Sequence, residues 1–308
     1  MRDKIDALRS QLGRVILGKA EAIDQAVVAL LAGGHLLMDD VPGVGKTTLA
    51  KALARSFRGD FKRVQFTPDL LPTDILGTSV YDPRDGSFEF KPGPVFTNVL
   101  LADEVNRASP RTQSALLEAM SEGQVSADGV TRPLPSPFLV VATQNPVEFH
   151  GTYPLPEAQL DRFALRVALG YPEAEREVDI LFSQAESHPV DAVAPVLDAA
   201  QVLALQAEVR RVRVARPLAR YMVDLAEATR RHPSVQLACS PRGTLWLFRA
   251  TQARAFLEGR DHAIPEDVKA QAVAVLAHRL GLETKARYSG VRRDDVVREI
   301  LDSVPVRL

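Results

Sequence analysis

The chain has 308 residues, enough at roughly 150 residues per domain for two domains, and its 46% hydrophobic and 25% charged residues give ample apolar mass for a core. Thirty-eight basic residues stand against 39 acidic ones, and this near balance holds on both sides of Gly170, which excludes nucleic-acid or anionic-membrane binding driven by bulk charge. The single cysteine, Cys239, excludes an intramolecular disulfide framework and any Cys-rich zinc site. The N-terminal stretch MRDKIDALRSQLG lacks the apolar core of a signal peptide, and the longest apolar stretch, Ala26 to Met38, is too short to span a bilayer. A cytoplasmic protein with no membrane insertion is the expectation.

In chain order, His35–Met38, Arg63–Phe66, Val99–Ala102 and Phe138–Ala142 are strand-length apolar runs. Amphipathic stretches such as Thr47 to Phe57 and Arg111 to Glu122 lie between them, and this alternation predicts a parallel sheet covered on both faces. Ser79 to Val95, around Asp85-Gly86, and Gln124 to Pro137, around Asp128-Gly129, read as β-hairpins that interrupt α/β units. Past Pro172 the pattern is helical, with Leu218, Tyr221, Met222 and Leu225 at i, i+3, i+4 and i+7. Ser240-Pro241 and Ile264-Pro265 read as helix starts. The expected division is an α/β core over residues 1–170 and five or six helices over 171–308.

The sharpest motif is Val41-Pro42-Gly43-Val44-Gly45-Lys46-Thr47-Thr48, after a strand and before a helix. Glycines there let backbone N–H groups turn inward around phosphate oxygens, and the following helix aims its positive end at the same place. Pro42, Gly43, Val44, Gly45 and Thr48 would cradle the phosphates, Lys46 would reach the β- and γ-phosphates, and the Thr47 hydroxyl would ligate Mg²⁺. The strict pattern has glycine at position 40, where this chain has Asp40. The run Val99–Ala102 ends in Asp103-Glu104, placing two carboxylates at a strand's carboxyl end. Asp103 suits the metal and Glu104 suits a general base acting on water. Paired ionised carboxylates are costly without a cation, which itself points to a metal.

These residues resemble the AAA+ ATPases, and within them the MoxR family. VPGVGKT, LLADEVNRA, the two hairpins, ATQNP (Ala142–Pro146), LPEAQLDRF (Leu155–Phe163), SPRG (Ser240–Gly243) and VLAHRL (Val275–Leu280) carry the likeness over nearly the whole chain. The resemblance implies an AAA+ parallel-sheet core with two β-hairpin insertions, followed by a smaller all-α lid domain. It also implies ATP and Mg²⁺ as cofactors, a homo-oligomer that is usually a hexameric ring, and a client protein with a von Willebrand factor A domain that is remodelled, matured or activated. By the same resemblance Asn145 is the polar sensor that orients the attacking water, against a plain turn reading of Asn145-Pro146. Arg162 is the arginine finger acting on a neighbour's nucleotide, against an ion pair with Asp161 or a nearby carboxylate. Arg242 is the lid's sensor, expected to reach a γ-phosphate bound to the first domain. Ile16 and Gly18, just before the first helix, match the segment near adenine, against core packing for Ile16. Arg107 matches a further contact with a neighbour's nucleotide.

Other residues have structural readings: His35 as a packed histidine, His278 as part of the lid framework, Cys239 as a small buried side chain. The arginines at 210, 211, 213, 216 and 220 read as a solvated face. Two alternatives to the remodelling ATPase stand beside it. One is a nucleotide-gated binding switch with rare turnover, which would leave Glu104 and Arg162 nearly idle. The other is a nucleic-acid-directed AAA+ motor, opposed by the neutral charge balance and by a first hairpin tip with one Arg against two Asp.

Overall fold

The computed structural model describes residues 2–144, 152–185 and 188–307. Two helices come first, α1 (Arg2–Val15) and α2 (Ala20–Ala32), so Ile16 and Gly18 lie between two helices and not ahead of the first one. Every residue of α2 from Ala22 through Ala32 is buried, which requires cover on more than one face. The helix stops at Gly33, whose left-handed backbone (φ 69°) turns its amide back to the last turn.

β1 (Leu36–Asp39) then crosses the interior, followed by α3 (Lys46–Ser56) and β2 (Phe61–Gln65). α4 (Pro72–Leu76) leads into the first hairpin, β3 (Gly77–Asp82) and β4 (Ser87–Pro92). After β5 (Val99–Asp103), α5 (Pro110–Glu122) begins with the Ser109 hydroxyl accepting the Thr112 amide. The second hairpin, β6 (Gln124–Ala127) and β7 (Val130–Pro133), turns at Asp128-Gly129, both with positive φ. β8 (Leu139–Gln144), α6 (Glu157–Leu160) and β9 (Leu165–Val167) complete this half.

Five strands form one parallel sheet in the order β2-β5-β8-β1-β9. β5 is buried along its whole length and β8 over all but its last residue, which is why both read as unbroken apolar runs. β9 gives no such run, being three residues with Arg166 in the middle. Its pairing with β1, Leu36 against Leu165, identifies it instead.

Beyond Gly170 the described residues form seven α-helices, where the sequence suggested five or six: α7 (Ala174–Ser183), α8 (Ala199–Val209), α9 (Arg216–Arg231), α10 (Pro241–Leu257), α11 (Pro265–Leu276), α12 (Thr284–Tyr288) and α13 (Arg293–Ser303). A short antiparallel pair, β10 (Val235–Leu237) and β11 (Gly281–Leu282), sits among them, so this half is helical with a small strand pair. Pro241 and Pro265 open α10 and α11 as expected. α10 packs across α2, and the approach is close: a Cβ on Gly34 would lie 2.3 Å from the Ala164 Cβ and 2.8 Å from the Trp246 ring. One buried cluster therefore runs from Leu8 and Leu30 through Leu165 to Leu247 and Val275.

The structural readings of the histidines and the cysteine hold. His35 Nδ1 accepts the Val140 amide at 3.0 Å and Nε2 donates to the Met120 carbonyl at 3.0 Å, and burial pushes its pKa down to about 4. His278 is buried against the Phe163 carbonyl, and Cys239 is buried and free. Within the basic run, Arg213 pairs with Asp261 and Arg220 with Asp224, both at the surface.

Candidate active site

At the carboxyl end of β1 the chain turns through Asp40–Gly45 into α3. Gly43 (φ 83°) and Gly45 (φ 100°) hold left-handed conformations that a side chain would strain. The space beyond both is open, the nearest neighbour to a Cβ on Gly45 being the Ile16 Cδ1 at 3.8 Å. Lys46 is buried beneath this loop, and its ammonium donates to the Asp40 carbonyl at 2.8 Å. Thr47 is the second residue of α3, and no described residue bonds to its hydroxyl.

Asp40 has a task of its own. One carboxylate oxygen accepts the Val41 amide at 2.8 Å, and the other accepts the Leu169 amide at 2.5 Å and the Gly170 amide at 2.7 Å. The residue that replaces the motif's first glycine thus joins the start of the loop to the segment that leaves β9.

Asp103 ends β5, level with Thr143 on β8 and one strand away from the end of β1. Its oxygens accept from the Thr143 hydroxyl at 2.6 Å and from the Arg63 guanidinium at 2.6 Å. Glu104 follows in a left-handed conformation (φ 55°, ψ 48°), unusual for a residue with a Cβ. Its amide donates to the Thr143 hydroxyl at 2.8 Å, and its carboxylate accepts from Gln65 at 2.8 Å and Arg107 at 2.9 Å. The paired carboxylates therefore each have an arginine from this chain, Arg63 for Asp103 and Arg107 for Glu104, so the pair alone does not demand a metal. Arg107 is engaged within its own site. Arg63, Gln65 and Thr143 were not singled out from the sequence; the polar pair at 63 and 65 in a short β2 run was the signal.

The residues present still fit Mg²⁺. The described residues hold no cluster of three acidic, His or Cys side chains. A metal carried by a nucleotide needs only one or two protein oxygens, because phosphates and water supply the others. Thr47 and Asp103 meet that need, one at the start of α3 and one at the end of β5.

A cavity of about 410 Å³ opens beside the loop, walled by Pro42–Gly45 and Thr48, by Ile16 and Leu17, and by Tyr171, Ile180 and Gln184 from the segment after Gly170. Ile16 is 6% exposed and belongs to the core as well, so both of its readings meet at this position. Gly18 does not line this cavity; a Cβ there would lie 3.0 Å from the Arg176 side chain on α7.

The segments that carry Arg162 and Arg242 meet at the other end of the sheet. Asp161, next to Arg162, accepts from the Ser240 hydroxyl at 2.9 Å, and Ser240 caps the helix on which Arg242 is the second residue. Ala164 pairs its amide with the His35 carbonyl, at the amino end of β1. Five residue steps at ~3.3 Å each put this end about 16 Å from Asp40 and the loop. Arg242 therefore lies away from its own chain's phosphate loop, on the helix whose cap bonds to the neighbour of Arg162. Asp161 is taken by Arg279 at 2.9 Å and by Ser240, so it is not the ion-pair partner of Arg162. Neither the Arg162 nor the Arg242 side chain bonds to a described residue. Asn145 lies outside the described residues.

Residues 35–165 match the family described as ATPase family associated with various cellular activities (AAA), and residues 227–300 match the AAA lid domain. The chain is 50% identical over 295 residues to the uncharacterized protein YeaC of Bacillus subtilis, covering 96% of this chain and 92% of that one. It is 41% identical over 303 residues to chaperone MoxR1 of Mycobacterium tuberculosis, covering 96% and 80% of the two chains. It is 33% identical over 330 residues to protein MoxR of Methylorubrum extorquens, covering 99% and 95%. A crystal structure of a Cytophaga hutchinsonii protein superposes with a TM-score of 0.92 at 39% identity, covering 100% of this chain and 96% of that one. The parallel sheet, the two hairpins and the helical lid agree with these likenesses, and the chain belongs to the MoxR family of AAA+ ATPases.

Proposed function

We propose that the protein is an oligomeric, Mg²⁺-dependent ATPase whose turnover remodels or activates a client protein. The observation that carries this reading is the phosphate loop over buried Lys46, with Asp103 and Glu104 level with it one strand away. Lys46 exchanges the Asp40 carbonyl for the β- and γ-phosphates, and Ile16 and its neighbours hold the base in the adjoining cavity. Thr47 and Asp103 would hold Mg²⁺, which would supply charge neutralisation of the phosphates. Glu104 gives up Gln65 and Arg107 and takes the proton of the attacking water, which Asn145 orients.

Arg162 and Arg242 serve the nucleotide of a neighbouring subunit, since both stand at the far end of the sheet from their own loop. A ring of such subunits, with six as the family's usual number, supplies that neighbour. Support for an assembly also comes from α7 beside the nucleotide cavity. Its Val178, Leu181 and Phe182 fall on one helical face and are 46%, 69% and 78% exposed, the kind of apolar face that marks an interaction surface. In this reading residues 1–170 are the nucleotide-binding core and 171–308 the lid. No helix among the described residues is long and apolar enough to cross a membrane. The client class, a protein with a von Willebrand factor A domain, rests on the family resemblance.

One observation favours the slower, switch-like reading: the Glu104 carboxylate is held by two partners and must leave them before it acts. The test is steady-state ATP hydrolysis per subunit against protein concentration, beside Glu104→Gln. A rate that rises with concentration and falls by two orders of magnitude or more in the variant, with ATP binding retained, is expected. A flat and near-zero wild-type rate with tight ATP binding selects the switch.

A further inference from the structure

Arg279 is a buried arginine with a dense set of partners. It ends a single 3-10 turn after α11, and its side chain is 1% exposed. Its Nε donates to one Asp161 carboxylate oxygen at 2.9 Å, and its terminal nitrogens reach the carbonyls of Asp161, Phe163, Ala164 and Val275. The other Asp161 oxygen accepts from the Ser240 hydroxyl at 2.9 Å, and that hydroxyl in turn accepts the Gly243 amide at 3.2 Å. The first turn of α10 also presses on Arg279 directly. A Cβ on Gly243 would lie 2.7 Å from Arg279 Cδ and 2.6 Å from the Cys239 sulfur, so glycine is the residue that fits.

Two segments far apart in sequence are thus held around Arg279: Asp161–Ala164 by direct bonds to its guanidinium, and Ser240–Gly243 through the second Asp161 oxygen and the packing of Gly243 against the Arg279 side chain. One carries Arg162 and the other carries Arg242. A buried ion pair is poor value as a source of stability, since a hydrophobic replacement of like volume often serves as well. What a planar five-donor fork does and an apolar side chain does not is fix two backbone segments in direction. The fork also consumes the nearby negative charge: Asp161 is engaged, and Arg162 and Arg242 are left as cations without a described partner.

We infer that Arg279, with Asp161 and Ser240, is a positioning device that sets Arg162 and Arg242 as one unit for presentation to a neighbour's nucleotide. This rests on the proposed action of both arginines on a neighbouring subunit. The clamp lies outside the subunit's own nucleotide cavity, so its loss spoils what a subunit donates and spares what it binds.

The experiment mixes subunits. Arg279→Lys keeps the charge and loses the fork, and alone it is expected to lower kcat about a hundredfold, within the range of a lost arginine finger, with KM for ATP within about threefold. Lys46→Ala subunits bind no nucleotide but keep their arginines, so mixing the two restores hydrolysis to about tenfold or more above either variant alone. Arg162→Ala mixed with Lys46→Ala is the control. If the control does not complement, action on a neighbour fails and the inference falls with it. If the control complements but Arg279→Lys keeps the wild-type rate, or does not complement, the inference alone is overturned. Should Arg279→Lys fail to fold, Ser240→Ala, which cuts only the link to α10, takes its place. Hydrogen exchange gives a readout independent of turnover: Arg279→Lys should speed exchange in Leu160–Leu165 and Ser240–Thr244 together, with Asp40–Lys46 unchanged. Faster exchange in only one of the two segments, or in the phosphate loop as well, overturns the inference.

Discussion

Asp40 and His35 mark the two ends of β1, and each carries a prediction. The Asp40 carboxylate accepts three amides, two of them beyond β9. Asp40→Gly would restore the glycine of the strict motif and yet leave those amides without acceptors. A buried donor stripped of its partner costs about 1–3 kcal/mol, so this variant should lose at least ~2 kcal/mol in urea denaturation and gain nothing in ATP affinity. Tighter ATP binding with unchanged stability would remove Asp40 from this role. His35 is neutral when folded, with its pKa pushed by burial from 6.5 to about 4. The unfolded chain takes up a proton that the folded chain refuses, so stability is full above about pH 6.5 and falls as the pH drops towards 4. The loss from this residue is at most about 3 kcal/mol, at 1.36 kcal/mol per pH unit. His278, whose pKa burial also holds well below the ordinary value, acts in the same direction. A stability profile flat between pH 6.5 and 4 would be inconsistent with both residues being buried and neutral.

At the scale of elements, the first hairpin hinges on a crossing of two glycines. A Cβ on Gly77 (φ 98°) would lie 2.4 Å from the Lys91 carbonyl, and one on Gly93 would lie 2.2 Å from the Ile75 carbonyl. Both obstacles are backbone, which cannot swing aside. Gly77→Ala is therefore expected to open the hairpin's base, with hydrogen exchange rising over Gly77–Pro92 while β5 and β8 keep their protection. Unchanged exchange in the hairpin would contradict this. The distal part is more forgiving: Tyr81 and Phe88 are 54% and 72% exposed, and Arg84 at the tip is paired with Asp82 at 2.6 Å. That pairing leaves the tip poorly suited to tracking a nucleic-acid backbone, in line with the neutral composition.

These elements also show what could be read in advance. The sheet's central strands, both hairpins and the Pro-opened helices were legible because each has a local signature: an apolar run, an Asp-Gly turn, or proline at a first turn. β9 had none, since its identity depends on pairing with β1. The phosphate loop, Asp103 and Glu104 were legible as chemistry at strand ends. The end of the sheet at which Arg242 stands was not, because SPRG names a helix start and leaves open which face of the core that helix meets. Trp246 against Gly34 decides it. Arg63 and Gln65 escaped notice for a similar reason: their meaning comes from the neighbouring strand, where Asp103 is in register with Gln65.

For the whole molecule, the opposite placement of loop and arginines is the organising fact. In the proposed assembly a subunit built this way would bind nucleotide at one end and offer two cations at the other. Mixing Arg162→Ala with Lys46→Ala subunits should restore hydrolysis that neither shows alone, and the same should hold for Arg242→Ala. Arg242→Ala failing to complement while Arg162→Ala succeeds would return Arg242 to its own chain. A finger contributes ~10³–10⁵ in rate, so the effect stands well above experimental scatter.

The close seat of α10 on α2 bears on how the chain is made. α10, which covers one face of α2, lies more than two hundred residues downstream of it. The sheet itself is complete by Val167. Until Leu257 has been synthesised, α2 has α1, β9 and α8 against it but lacks α10, and the apolar face that α10 covers is left open, a surface that invites aggregation. A fragment ended at Gly170 would retain every strand of the sheet and the entire phosphate loop, and should still require a solubilising partner. Translation and folding are therefore expected to be linked here: the core around α2 closes only once α10 has been made.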